Sequence, residues 1–313
     1  PGPLHDHTAW DDYIVGLSRP LAGLSEVALS FDVCPNLRLE PAARLNDPFS
    51  LVEVEVYLEA LNTGRVSGFS GLPAELLRFA RLPTHDGEPP APHLLAPCLQ
   101  GLLNAMFAAG RIPGRCNVLT VSPVLKDAKG DLLSPGNYRL IAVPESLIRL
   151  YATALNSRLM AYLEEEGLRC DANTGSRPGY STLHNIFTLQ HFIDRATSDR
   201  PLYCCFLDLS KAFDRVPRHA LWVALQRLGL QGLFLEAIKS IYEDADLTIV
   251  ANGRHGPILP SQAGITQGSP LSPTLFGIVG DTLIRYIHSR CPDVGPTTVD
   301  GLSVPVLGYV DDF

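Results

Sequence analysis

Between Tyr203 and Val216 the chain reads Y-C-C-F-L-D-L-S-K-A-F-D-R-V. Its first five residues, Tyr203 to Leu207, are aromatic or apolar and carry the signature of a buried strand. A carboxylate, Asp208, follows at once. An ionised carboxylate is costly to bury unpaired, so Asp208 must face an open cleft, a cationic partner or a bound cation. A second apolar run, Val306 to Val310, ends the same way, in Asp311 and Asp312. Two such strands side by side would set three acids at one end of a sheet, an oxygen-rich place of the kind that holds magnesium.

The chain has 313 residues and is 46% hydrophobic, enough for a substantial core and one or two domains. No apolar run approaches the roughly 18 residues that a membrane span needs. The first residue is Pro1, no signal peptide is visible, and the last residue follows directly on the Asp pair. These ends lead us to expect a piece of a longer polyprotein. Seven cysteines show neither C-x-x-C nor zinc spacing. They are expected to be reduced and mostly buried, with Cys204 and Cys205 on opposite strand faces. The net charge of −8 argues against a nucleic-acid binder until its distribution is considered. Residues 1–60 hold three basic and ten acidic groups, whereas 61–313 hold 22 and 23. Residues 111–160 carry seven basic groups against three acids, enough for a local basic face.

The pattern F-x-D-x-x-x-A-F-D at 206–214, followed by Y-V-D-D at 309–312, resembles motifs A and C of a reverse transcriptase, of the non-long-terminal-repeat (LINE) type. Other stretches carry the same resemblance in the order the family has them. Gly64 to Leu77 is similar to the Gly-rich pattern ahead of the fingers, with Ser70 where that pattern has Asp. Lys126 and then Asn137-Tyr138-Arg139-Leu140-Ile141 resemble motif 1, with Leu140 in place of Pro. Asn173-Thr174-Gly175-Ser176-Arg177 resembles motif 2, with Asn173 for Gln and Ser176 for Phe. Gly264 to Phe276, read as G-I-T-Q-G-S-P-L-S-P-T-L-F, resembles motif B over its whole length. One such motif is weak evidence, because three loosely spaced aspartates are more often structural than catalytic. Six such stretches in order over residues 64–313 are not.

The resemblance implies an RNA-directed DNA polymerase that uses two Mg2+ ions, with Mn2+ as a substitute. Its partners would be an RNA template, a DNA primer and deoxynucleoside triphosphates, with no membrane. It makes Asp208 and Asp311 the principal metal ligands, Asp312 a weaker one, and the Leu209 carbonyl a further donor. It sets Lys126 and Arg139 opposite the triphosphate, where a polyanion needs cations. Phe213, five residues past Asp208, matches a steric gate against ribose. Gln267 and Gly268 would approach the template–nucleotide pair. Arg177 is either a template-phosphate contact or an arginine that stabilises a turn. Asp214 reads as a helix-start or structural acid.

The expected fold is α+β: fingers and a palm whose antiparallel sheet carries the acids. The expected division is an acidic, Pro-rich connector (1–48), an N-terminal extension with fingers and the start of the palm (49–202), and the palm (203–313). His5-Asp6-His7 reads as a solvated tail. Helices are expected at 50–61, opened by a Ser50–Glu53 capping box and stopped by Gly64, at 93–109, ended by Gly110, at 145–166, stopped by Gly167, and at 217–228, 232–242 and 273–290. Strands are expected at Val118–Leu125, interrupted by Pro123, and at Leu247–Ala251, entering a turn at Asn252-Gly253. The family places a primer grip and thumb after the Asp pair, so the isolated chain is expected to extend primers weakly or not at all. Its target-primed mode favours a nuclear workplace, though no localisation signal is visible. A group II intron maturase or a domesticated gene would share the chemistry. A decayed element acting only as a nucleic-acid-binding scaffold is the rival from another class.

Overall fold

The computed structural model describes residues 7–18, 42–84, 91–251, 253–291, 294–296 and 303–313. Helix α2 (Leu51–Glu59) opens on the expected capping box: the Ser50 hydroxyl accepts from Glu53 N, and the Glu53 carboxylate accepts from Ser50 N at 2.9 Å. Helix α3 (Ala74–Arg78) is short, and α4 (Ala96–Ala109) stops at Gly110, whose φ of 59° suits a residue without Cβ. Helix α5 (Ser146–Glu165) is the longest, followed by α6 (Thr182–Arg195), α7 (Arg218–Arg227), α8 (Leu233–Glu243) and α9 (Ser272–Arg290). Apart from α3 and α6, these match the helices expected from the periodicity to within a few residues at their ends. Helix α6 was not foreseen; most of it is open to solvent, with Phe192 its one buried residue.

The chain is α+β, as expected, but its four-stranded sheet is mixed rather than antiparallel, and the acid-bearing segments pair outside it. Strands β1 (Val118–Leu125), β2 (Tyr138–Val143), β3 (Asp246–Ala251) and β4 (Arg254–Pro260) lie in the order β2-β1-β3-β4. Strand β1 pairs antiparallel with β2 and parallel with β3. Pro123 was expected to interrupt β1, yet it sits in the ladder opposite Leu140. The pairing with β3 ends at Val121, so beyond that point β1 has one neighbour only. A residue without an N–H is tolerated there because only one edge of the strand has to be satisfied.

Two cores hold these elements. The larger is helical, built from α2, α4, α5, α7, α8 and α9 around Tyr151, Phe234 and Tyr242. The smaller covers one face of the sheet with a helix from the segment expected to be a connector. Helix α1 (His7–Ser18) buries Trp10 (0% exposed) and Ile14 against Leu119, Val121, Tyr138 and Ile249. His5, Asp6, residues 19–41 and Asn252 lie outside the described residues. Among the described residues no helix is long and apolar enough to cross a membrane.

Helices α2 and α5 are tied by one polar knot. Arg158 on α5 grips the Glu53 carboxylate from Nε and Nη2 at 2.9 and 3.0 Å, and its charge lies 4.2 Å from the Phe49 ring centre. Partial burial pushes the Glu53 acid up, but the hydrogen bonds from Arg158 and Ser50 outweigh it and hold the carboxyl down at about 2. Stability from this knot is therefore complete above the ordinary carboxylate range and is lost as pH falls through about 2. Glu53→Gln is expected to flatten the acid limb of urea-unfolding stability below about pH 4.5, while Glu59→Gln, at an exposed pair, leaves that limb in place.

Candidate active site

The two acid-bearing segments meet. Leu207 N donates to Phe313 O at 2.7 Å, Phe313 N returns the bond to Leu207 O at 3.0 Å, and Leu209 N reaches Asp311 O at 3.4 Å. Asp208 thus lies across a short antiparallel pairing from Asp312. Y-V-D-D closes on itself as a turn, with Tyr309 and Asp312 exchanging backbone bonds of 2.9 and 3.2 Å. Val310 takes φ 59° in that turn, a strained position for a β-branched residue, immediately before Asp311. Such strain persists only where the surroundings over-determine it. Here Gly175 backs the turn so closely that a Cβ would collide with Val310 N. Thr174 N and the Asn185 amide both donate to Gly308 O at 3.0 Å, and Gly308 N donates to Ala172 O at 2.7 Å.

The loop that supports the turn is itself fixed from α9. Asp281, on α9, accepts from Arg169 Nε at 2.7 Å, from Asn173 Nδ2 at 2.7 Å and from Cys170 N at 3.2 Å. Both charged side chains are 2% exposed. Asn173 also donates to Gly277 O, and Gly277 leaves just enough room for the Arg169 guanidinium. Asn173, expected as a motif 2 residue, is a buried crosslink between that motif and α9.

Asp208, Leu209 and Asp311 line a cleft of about 380 Å³. Lys126 and Arg139 line it from the ends of β1 and β2, where Lys126 N bonds Asn137 O at 2.8 Å. Gln267 lines it from the motif B loop, and Phe213 from the turn Phe213–Arg215. The Phe213 ring stacks on Phe276 of α9, centres 4.7 Å apart and planes 21° from parallel, and its carbonyl accepts from Ile265 N at 2.9 Å. Seven of the residues singled out in the sequence therefore share one cavity. Two residues there were not foreseen. Lys211, between Asp208 and Phe213, puts its ammonium 4.3 Å from the centre of the Tyr13 ring, and both line the cleft. The position of Lys211 inside motif A was a signal that could have found it. Tyr13 lies in a stretch without any motif. Asp214 also borders the cleft; burial raises its carboxyl above the ordinary range, only partly opposed by Lys211, Lys126 and Arg215.

Other expectations need correction. Asp312 is exposed and does not line the cleft, because the turn directs consecutive residues apart. Arg177 is not free to meet a template: its side chain is 6% exposed, pairs with Glu164 at 2.8 Å and stacks on Tyr180. The turn-stabilising reading is the one its contacts match. Gly268 is small for a different neighbour, since at its φ of 129° a Cβ would strike the Ala142 carbonyl of β2. The motif A stretch is not a buried strand. Tyr203 is 88% and Phe206 80% exposed, and Cys204 and Cys205 are both exposed. Its backbone pairs with Asp311–Phe313, and among the described residues little packs over its faces. Ser70, where the family pattern has Asp, gives its N–H and hydroxyl to the Glu145 carboxylate at 2.6 and 2.5 Å. An Asp there would set two carboxylates together.

Among the described residues no group of three or more His, Cys, Asp or Glu is gathered closely enough to hold a metal. The donors in the cleft are hard oxygens nonetheless. Magnesium is commonly held by one or two carboxylates, with water and substrate phosphates completing its shell. Asp208, Asp311 and the Leu209 carbonyl fit that pattern.

The reverse transcriptase (RNA-dependent DNA polymerase) family model matches residues 125–313. The retrovirus-related Pol polyprotein from type-1 retrotransposable element R2 of Popillia japonica is 33% identical over 205 residues, covering 65% of this chain and 28% of that protein. The transposon TX1 uncharacterized 149 kDa protein of Xenopus laevis is 26% identical over 272 residues, covering 86% and 19%. The RNA-directed DNA polymerase from mobile element jockey of Drosophila funebris is 26% identical over 233 residues, covering 74% and 24%. The chain thus spans 19% to 28% of the length of these curated relatives.

Asp281→Ala leaves Arg169 buried without its counter-ion and is expected to cost about 3–5 kcal/mol in urea unfolding. A loss below about 1 kcal/mol would mean that the crosslink does not hold the loop.

Proposed function

Since the chain belongs to the reverse transcriptase family, of the LINE type, we propose that it forms the nucleotidyl-transfer centre of an RNA-directed DNA polymerase encoded by a retrotransposon. What carries this reading is the convergence of Asp208 and Asp311 in one cleft with Lys126 and Arg139. Acids at one wall and cations at another suit a substrate that needs divalent cations at one end of its phosphate chain and positive charge along the rest.

In the reaction a primer 3′-hydroxyl oxygen bonds to the α-phosphorus of a nucleotide, the bond to the β-phosphate oxygen breaks, pyrophosphate leaves, and the hydroxyl proton passes to solvent. Asp208, Asp311 and the Leu209 carbonyl would hold two magnesium ions, which when bound lower the cost of the attacking and leaving oxyanions. The remaining work is position and charge. Lys126 and Arg139 lie where they can neutralise the triphosphate. Phe213, pinned face to face on Phe276, offers a flat wall against the sugar. Gln267 offers an amide beside it. The template contact assigned to Arg177 is not carried forward, given its engagement with Glu164.

The test is magnesium-dependent primer extension by the open reading frame that contains residues 1–313. Asp311→Ala is expected to abolish extension while leaving nucleic-acid binding intact. Phe213→Val is expected to relax discrimination against ribonucleotides by roughly one to two orders of magnitude. Binding without extension in the unaltered protein would favour the decayed-element scaffold.

A further inference from the structure

Helix α1 lies outside the span that matches the family, yet it reaches the cleft. Its anchor is Trp10, fully buried and set edge-on to Tyr138 at 5.3 Å between ring centres. Ile14 is buried in the same cluster one turn on. Tyr13, on the same face, packs edge-on against Trp10 with ring centres 6.3 Å apart and also lines the cavity shared by Asp208, Asp311, Lys126 and Arg139. The Lys211 ammonium rests over its ring, 4.3 Å from the centre.

Lys211 is half-buried and has φ 54°, a left-handed position that a residue with a Cβ occupies only when its neighbours impose it. Its carbonyl is fixed by Arg215 N at 3.1 Å, and the next two residues lead into the Phe213 turn. The aromatic partner matters chemically. A carboxylate would hold the ammonium and cancel its charge. A ring face holds it through the quadrupole without a direct ion pair, so that, apart from the Coulombic pull of nearby Asp214, the charge is left to an anion. A long lysine side chain loses considerable rotamer freedom on binding, and an existing contact reduces that loss.

We propose that helix α1 completes the nucleotide cleft and that Tyr13 is a positioning residue, holding Lys211 as a third cation for the triphosphate of the incoming nucleotide. This rests on the polymerase reading above and adds to it a segment upstream of the matched domain. The affinity assigned to Tyr13 runs wholly through Lys211.

The experiment is a double-mutant cycle read by calorimetry. Deoxythymidine triphosphate is titrated with Mg2+ into the protein bound to poly(rA)–oligo(dT) whose primer ends in a dideoxynucleotide. Tyr13→Leu is expected to weaken triphosphate binding by roughly 3- to 30-fold. Tyr13→Phe, which keeps the ring, stays within about twofold of the parent. Lys211→Met weakens binding at least as much as Tyr13→Leu, and adding Tyr13→Leu to it costs nothing further. In a Trp222→Phe background Trp10 is the remaining tryptophan of the chain's two, and a blue-shifted emission in every variant reports that α1 stays docked. An unchanged affinity in Tyr13→Leu, or an equal loss with and without Lys211, overturns the proposal. Tighter binding in Tyr13→Leu also overturns it and marks α1 as an obstruction. Arg139→Ala separates the two claims: if it weakens binding and Tyr13→Leu does not, the polymerase reading stands and this one falls. If neither does, or the parent binds no triphosphate, the cleft is not a nucleotide site.

Discussion

Everything at the candidate site depends on a few backbone hydrogen bonds between Leu207–Leu209 and Asp311–Phe313. They join segments a hundred residues apart and set two acids at one cavity. So short a pairing is weak by itself, because three residues a side bury little and leave outer edges open. It is held from behind. Asp281 locks Arg169, Cys170 and Asn173 to α9, the loop they belong to bonds Gly308, and Gly175 presses against the Y-V-D-D turn. The strained Val310 is the outcome of that chain of contacts. A buried ion pair is seldom a large source of stability, but it tolerates few alternative arrangements. Here that intolerance is transmitted to the residue before a proposed metal ligand.

The second wall of the cleft is built by a separate device. A sheet with one apolar face would expose it, and helix α1 covers it with Trp10 and Ile14. The cations then stand at the sheet's end, Lys126 just past β1 and Arg139 on the neighbouring antiparallel β2. The motif B loop closes the third side, tied to β2 through Ala142 N and Gln267 O at 2.9 Å and to the motif A turn through Ile265. Acids, cations and the Phe213 ring thus hang on three supports that touch one another, so local damage at one is felt at the others.

Much of this was legible from residue order. The capping box at Ser50, the stops at Gly110 and Gly167, and the long helices all follow from signals within a few residues. The motifs named seven residues that do share a cavity. What was misread has a common cause. Tyr203 to Leu207 has the composition of a buried strand, but burial depends on what packs over it, and composition carries no information about that. Arg177 sits in a motif and is consumed by Glu164, thirteen positions earlier in the chain. Gly268 is small because of a carbonyl on β2, over a hundred residues away. Tyr13 had no motif to announce it.

The sequence by itself determined the local elements, the order of the motifs and the chemical inventory of the candidate site, because capping, periodicity and the cost of a buried charge act between near neighbours. The tertiary structure alone decided which acids share a cleft, which arginine is already engaged, and that the N-terminal helix reaches the site. Those outcomes turn on strand register and on which surfaces meet, and both are set by contacts between residues far apart in the chain.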